Sequence, residues 1–375
     1  MTEKIAIIGA GNAGCISALN LHYLRETEDY KGYEIDIYYD PTAPIERVGQ
    51  GTQLNVLESA FDVLDLDWIQ KNHIKATPKH GIRYSGWGKD NHDFFHLYRN
   101  GSIAMHYVPK LLSECVLKSS LFNVVEKEII EPEEEIDATY IVDCRDKPNN
   151  LDDSYQTLIN PINSAIFARK EGADSSLLWT ENITTPNGWA FVIPNHDSIS
   201  YGYLYNNTIT TKEDAEKDFI ERFDVEPNDN ISFDNYVAKD IWRGERTILN
   251  GNSYSFIEPM EAVTSAVYHN VPECLYGVLI GEESREEMNE SIYKELIQVQ
   301  DFILWHYKNG SIYDTPFWNH AQSLEYSNHN ALIDHIKECM ELPNIINSDT
   351  LDDDFEYGHW LPYSFKNWYN NVGGA

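Results

Sequence analysis

Residues 4–24 read KIAIIGAGNAGCISALNLHYL, and the order of residue types in this stretch decides the fold. Ile5 to Ile8 make a short apolar run, a glycine-rich turn follows, and Ala18 and Leu21 then recur at helical spacing. The turn, Gly9-Ala10-Gly11-Asn12-Ala13-Gly14, is a GxGxxG pattern that follows a strand and opens a helix. In that setting Gly9 permits the tight turn, Gly11 lets a pyrophosphate approach the backbone, and Gly14 allows close packing of the helix. The helix N-terminus adds free N–H groups and the positive end of the helix dipole. GYEIDIYYD (32–40) predicts a second strand ending at Asp40, whose carboxylate would accept hydrogen bonds from a ribose diol. Residues 1–40 are therefore expected to form a βαβ unit that binds a dinucleotide. The pattern alone does not separate FAD from NAD.

The 375 residues suffice for one large α/β domain or two smaller ones. A formal charge of −33 argues against nucleic acid and against an anionic membrane surface, both of which call for clustered Lys and Arg. It does not exclude a small anion, because exposed charges more than about 8 Å apart are largely screened at physiological salt. Five scattered cysteines (Cys15, Cys115, Cys144, Cys274, Cys339) include no CxxC pair and suggest neither a disulfide framework nor a zinc site. His73, His80 and His106 show no metal-ligand spacing, so no metal is expected. The chain enters a strand almost at once and has no membrane-length apolar run. A cytoplasmic location is the expectation.

Further along, VLESAFDVLDLDWIQKN (56–72) is helical in pattern and EPEEE (131–135) reads as a solvated acidic loop. IDATYIVDC (136–144) reads as a short buried strand. Strand-like runs such as GWAFVIP (188–194) and ISYGYLYN (199–206) predict an antiparallel sheet inserted at about 150–240. Residues 284–310 predict the longest helix, with an apolar stripe of Ile292, Leu296, Val299, Ile303 and Tyr307 and a C-cap at Gly310. The last stretch mixes aromatics with an acidic loop, SDTLDDDFE (348–356).

In GWAFVIP, Trp189 and Phe191 share one face of an extended strand, because strand side chains alternate sides. Pro194 removes a ladder donor, so the strand should end there or run along an edge. Core packing alone would account for two such rings. The same segment, however, resembles the WxWxIP motif of the flavin-dependent halogenases, tryptophan-halogenase branch. Other segments resemble that family in the family's order. ATPKHGIRYSGWG (76–88) matches the segment of the catalytic lysine, which falls on Lys79, and RVGQGT (47–52) matches the strap touching flavin and halide site. SFIEPMEA (255–262) places Glu261 at the catalytic acid, and DFILWHYKNGSIYDTPFW (301–318) resembles a characteristic helix and turn.

The resemblance implies an FAD-binding Rossmann-like fold of the flavin monooxygenase type, with an inserted antiparallel sheet and a reduced C-terminal helical substrate region. Residues 1–315 would form the FAD and halide module and 316–375 the substrate-facing part. FAD, used as FADH2, would lie on Gly9, Gly11, Asn12, Ala13, Gly14 and Asp40, with the strap residues Gly49, Gln50, Gly51 and Thr52. A halide ion would sit on backbone amides of Val263, Thr264 and Ser265. Trp189, Phe191, Ile193 and Pro194 would wall the flavin from the substrate. Hypohalous acid formed at the flavin would then halogenate a small electron-rich aromatic through Lys79 and Glu261. A separate flavin reductase would supply FADH2 by diffusion; homo-oligomerisation is left open.

Three features depart from the family pattern. Phe191 replaces the second Trp, the run Ala262-Val263-Thr264-Ser265 is one residue longer than usual, and the chain is short in its C-terminal part. Lys79 has two roles open to it: a neutral amine that forms a haloamine, or an ammonium that hydrogen-bonds hypohalous acid and polarises it. A nearby Glu261 would favour the second, and would itself serve as the base for the ring proton. On its own, Glu261 also reads as a helix-start carboxylate after Pro259. Two other classes remain in view at this point. An FAD aromatic hydroxylase usually shows a Gly-Asp pair where this chain has Asn252, and has no need of the lysine or the wall. A non-catalytic flavin binder would not need to keep Lys79, Glu261 and the wall together.

Overall fold

In the computed structural model, β1 (Glu3–Ile8), α1 (Asn12–Thr27) and β2 (Tyr33–Tyr39) form the expected βαβ unit. The strands pair in parallel, with Ile5 opposite Ile35 and Ile7 opposite Ile37. These residues are buried, as a parallel sheet covered on both faces requires. The structure describes residues 3–45, 49–90, 92–147, 151–173, 176–326, 328–342 and 357–373. The chain divides into two compact units, the first made of Met1–Thr77, Ala104–Thr157 and Tyr236–Tyr293. The second comprises Pro78–Ile103, Leu158–Asn235 and Lys294–Ala375.

In the first unit a six-stranded sheet runs in the order Trp242–Arg243, Thr247–Leu249, Tyr140–Asp143, β1, β2, Asn123–Glu126. Every neighbouring pair is parallel except the first. The turn between β1 and α1 allows almost no side chain. A Cβ on Gly14 would lie 2.0 Å from the Gly9 carbonyl oxygen, and one on Gly9, whose φ is +106°, would lie 2.7 Å from that of Cys144. At Gly11 the same construction meets nothing within 4 Å.

Two local expectations are corrected. The helical pattern of 56–72 forms a helix only over Leu54–Val63 (α2). Asp65 turns left-handed at φ 50°, and the Asp67 carboxylate then accepts hydrogen bonds from the Ile69, Gln70 and Lys71 amides, competing with helix continuation. The acidic run at 131–135 is solvated as expected at Glu131, Glu134 and Glu135, but it is a short helix, Pro132–Glu135, rather than a loop. Its Glu133 accepts hydrogen bonds from the Arg246 and Thr247 amides, and Glu135 accepts from Ile130 and Glu131. Such charge-assisted bonds to backbone donors tie the run down.

In the second unit a seven-stranded sheet runs in the order Asp229–Ser232, Ser164–Glu171, Ser198–Tyr205, Gly188–Asn195, Thr180–Thr185, Gly81–Ser85, Asp93–Leu97. It is antiparallel except where Thr180–Thr185 meets Gly81–Ser85. Pro194 continues its strand by one residue and pairs with Ile199 on one side only, because the other neighbour's ladder reaches no further than Val192. A proline fits there, at a local edge. Ala190 and Val192 pack into a core with Ala215 and Phe219 of the helix Lys212–Phe223. By strand alternation Trp189, Phe191 and Ile193 belong to the opposite face.

The long helix is Arg285–Lys308; its predicted apolar stripe is buried, and Gly310 just beyond has φ +75°. Tyr357 and Gly358 fasten the segment before the last helix, Pro362–Val372, to it. The Tyr357 hydroxyl donates to Asp301 at 3.0 Å, and the Gly358 amide donates to Gln298 at 2.9 Å. Burial pushes the Asp301 carboxyl up to about 6. SDTLDDDFE and residues 47–48 of the strap lie outside the described residues. No helix among the described residues is long and apolar enough to cross a membrane.

The glycine turn makes a stability prediction. Gly14→Ala should lower the unfolding free energy by about 1–3 kcal/mol or more, the cost of overpacking against backbone that cannot retreat. Gly11→Ala, entering open space at a helix N-cap, should cost less than about 1 kcal/mol. Urea unfolding of both variants tests this; equal losses would contradict the packing described.

Candidate active site

In the first unit the predicted cofactor residues gather around the start of α1. Gly11 is its N-cap, and no side chain caps the helix there. The first amides of a helix have no intrahelical acceptors, so they are donors for an anion. Asn12 accepts a hydrogen bond at 2.8 Å from the hydroxyl of Tyr107, on the strand Ala104–Tyr107. That strand pairs with Gln50–Gly51 of the strap, Gln50 opposite Tyr107 and Gly51 opposite His106. Thr52 is fully buried, and its amide donates to the Met105 carbonyl at 2.9 Å. Tyr107 thus joins the strap to the glycine turn, a link the sequence did not suggest.

Asp40 follows β2 directly, as expected, but its carboxylate is already engaged. It accepts from the Thr42 amide at 2.8 Å and the Thr42 hydroxyl at 2.7 Å, which hold it below the usual carboxylate range. It remains ionised and keeps lone pairs for a further donor.

The residues present suit the pyrophosphate of a dinucleotide such as FAD on two structural grounds. The space over Gly11 is the space a Cβ would fill, and Gly11, as the N-cap, has no side chain to compete for the α1 amides.

The same unit holds the segment of the proposed acid and halide amides. Glu261 is buried, with only 4% of its surface exposed, and both Glu261 and Ala262 are left-handed, at φ 64° and 57°. Glu261 is therefore no ordinary helix-start carboxylate. Two consecutive left-handed residues with side chains store strain, which surrounding contacts must hold. Val263 returns to right-handed geometry and caps the helix Thr264–Ile280, so the amides of 263–265 stand at its N-terminus. A left-handed residue followed by a right-handed one is the kind of turn that aims successive amides at an anion. Glu258, three residues before Glu261, is fully buried as well. Nothing in SFIEPMEA marked it, since Glu before Pro predicts only extended backbone.

The second unit carries the other predicted groups. Lys79 ends the strand Thr77–Lys79 with no exposed surface, its Nζ 5.5 Å from the centroid of the Tyr98 ring. Lysines are almost never fully buried, because the ammonium loses its hydration. The backbone beside it is fixed on both sides: the His80 amide donates to Leu178 at 2.7 Å, and the His80 carbonyl accepts from Tyr98 at 2.9 Å. Trp189 and Phe191 are buried, with ring centroids 6.1 Å apart. Phe191 lies over its cross-strand partner Gly202, where a Cβ would come within 2.2 Å of the ring. The smaller ring thus fills the place with glycine as its floor. Ile193 and Pro194 complete the strand end and are also buried.

Comparison with known proteins matches this chain to a family. The family model described as "Tryptophan halogenase" matches residues 4–118 and 123–366. The chain is 27% identical over 209 residues to the tryptophan 7-halogenase RebH of Lentzea aerocolonigenes, a match covering 52% of this chain and 37% of that protein. It is 25% identical over 209 residues to the tryptophan 6-halogenase ThaL of Streptomyces albogriseolus, with the same coverage of 52% and 37%. The match therefore spans little more than a third of the length of these curated relatives. Among solved structures, BrvH, a flavin-dependent halogenase from Brevundimonas sp. BAL3, superposes with a TM-score of 0.78 at 16% identity, covering 99% of this chain and 90% of that one. A tryptophan 6-halogenase from Streptomyces toxytricini gives 0.78 at 21% identity, covering 100% and 91%. At those identities the likeness is one of fold. With the family model running through nearly its whole length, the chain belongs to the tryptophan halogenase family.

Proposed function

We propose that this chain is an FADH2-dependent halogenase that makes hypohalous acid from a halide ion and transfers the halogen to a small electron-rich aromatic. The observation that carries the reading is Lys79, wholly buried at the position where the family resemblance puts the catalytic lysine. A buried charge is costly, and sites of chemistry are where such a cost persists. When bound, reduced FAD with oxygen supplies the oxidising power that the protein's own side chains lack. The amides at the start of α1 would hold its pyrophosphate, Asp40 a ribose hydroxyl, and Gly49 to Thr52 the side facing the halide.

The remaining steps belong to the chain itself. Amides of Val263, Thr264 and Ser265 hold the halide. Trp189 and Phe191, stiff and closely packed, keep the organic substrate off the flavin. The Lys79 ammonium donates a hydrogen bond to the oxygen of hypohalous acid. The aromatic carbon bonds the halogen as the oxygen–halogen bond breaks, and the leaving hydroxide takes a proton from the Lys79 ammonium, which solvent then replaces, and departs as water. The Tyr98 ring lies 5.5 Å from that ammonium, and an aromatic face attracts a cation. Glu261 accepts the ring proton and restores aromaticity. Reduced FAD comes from a separate flavin reductase by diffusion.

Lys79→Ala should abolish halogenation of the organic substrate while reduced FAD is still consumed and oxidant escapes to a scavenger. Product at the wild-type rate and regioselectivity would refute the lysine's role. Glu261→Gln removes the base at constant size, so halogenation should fall about 100-fold or more, the usual worth of a general base, with FAD affinity little changed. Loss of flavin binding as the sole effect would make Glu261 a structural carboxylate.

A further inference from the structure

Gln53 stands one residue beyond the strap and is the N-cap of α2, yet its side chain makes no cap hydrogen bond. It reaches instead across 208 positions of sequence, where its Nε2–H donates to the Glu261 carbonyl at 2.7 Å. Its own amide donates to the Ser265 hydroxyl at 3.1 Å, and that hydroxyl donates to the Ala262 carbonyl at 3.0 Å. The carbonyls of both left-handed residues are thus held by one glutamine, Glu261 directly and Ala262 through Ser265. The polar contacts are short, specific and confined to the first unit.

We infer that Gln53 is the positioning residue of the halide site. A trans peptide unit points its C=O and its N–H in opposite directions. Holding the Ala262 carbonyl against the Ser265 hydroxyl therefore fixes the direction of the Val263 N–H, the first amide of the anion nest. Holding the Glu261 carbonyl fixes the peptide before it and keeps the carboxylate-bearing residue in its left-handed turn. Left-handed geometry costs a residue with a Cβ roughly 1–2 kcal/mol, so without an external tie the turn relaxes and the amides diverge. Gln53 touches neither halide nor substrate in this account; it sets the donors that do. The inference rests on the proposed halide role of residues 263–265.

Broadening of the chloride NMR line on titration into the purified full chain reads halide binding without turnover. Gln53→Met keeps length and bulk but removes the amide. Its chloride dissociation constant should rise about ten-fold, the scale of one buried hydrogen bond, with FAD affinity unchanged and the melting temperature lowered by no more than about 2–4 °C. Gln53→Glu differs by one group, and carries the test if Gln53→Met does not fold. Its ionised carboxylate cannot donate to the Glu261 carbonyl, whereas its protonated form can, so its deficit relative to wild type should close as the pH falls through the carboxyl range. Gln53→Met, which adds no charge, separates this loss from simple repulsion of the anion by a carboxylate at position 53. Wild-type chloride affinity in Gln53→Met, or a pH-independent deficit in Gln53→Glu, overturns the inference while leaving the halogenase reading intact. No specific broadening in the wild-type protein overturns the halide assignment of residues 263–265 and this inference with it.

Discussion

The first unit depends on a backbone contact. Helix α1 leaves the sheet so closely that Gly14 rests against the Gly9 carbonyl, while Gly9 itself rests against the carbonyl of Cys144, just past the end of the neighbouring strand. Three backbone segments meet there with no room for a methyl group. That crowding aims the first amides of α1 out past Gly11, where space is open. The Cys144 side of the contact is held firmly: the Arg145 guanidinium donates to both Asp143 carboxylate oxygens, at 2.8 and 2.7 Å, and to the Ile129 carbonyl at 2.7 Å. The anion site at the helix start follows from packing before any side chain takes part.

The Glu261 turn obeys the opposite logic. There the conformation is unfavourable for the residues that adopt it, and a long-range hydrogen bond from Gln53 and a local one from Ser265 hold it in place. Strain of this kind persists only where surroundings over-determine it, and it clusters at sites of function. Buried Lys79 in the second unit is a parallel case, a cost in desolvation rather than in backbone geometry. Both departures from the easiest arrangement fall on the residues to which the family resemblance gives chemistry.

Much of the frame was legible because local pattern and global fold agree. Alternating and helical periodicities located β1, α1, β2, the strand 188–195 and the helix 285–308, and Pro194 announced a local edge. What escaped the sequence depends on distant partners. Glu133 looked solvated, yet it serves amides more than a hundred positions away, at Arg246 and Thr247. Gln53 carried no motif, since its partners lie at 261 and 265. Periodicity predicted α2 to run on through 72, but Asp65 and Asp67 end it by local geometry that apolar spacing does not register. Lys79 was legible only by resemblance, because three polar-looking residues, TPK, resemble any surface strand.

The central claim is that this protein converts a halide ion into hypohalous acid. The direct measurement incubates the chain with chemically reduced FAD, oxygen and bromide, without organic substrate, and traps oxidised bromide with a generic scavenger. The account predicts trapped product that scales with the FADH2 supplied and disappears when bromide or the protein is left out. Consumption of FADH2 with hydrogen peroxide as the only oxidant, whether bromide is present or not, would contradict it.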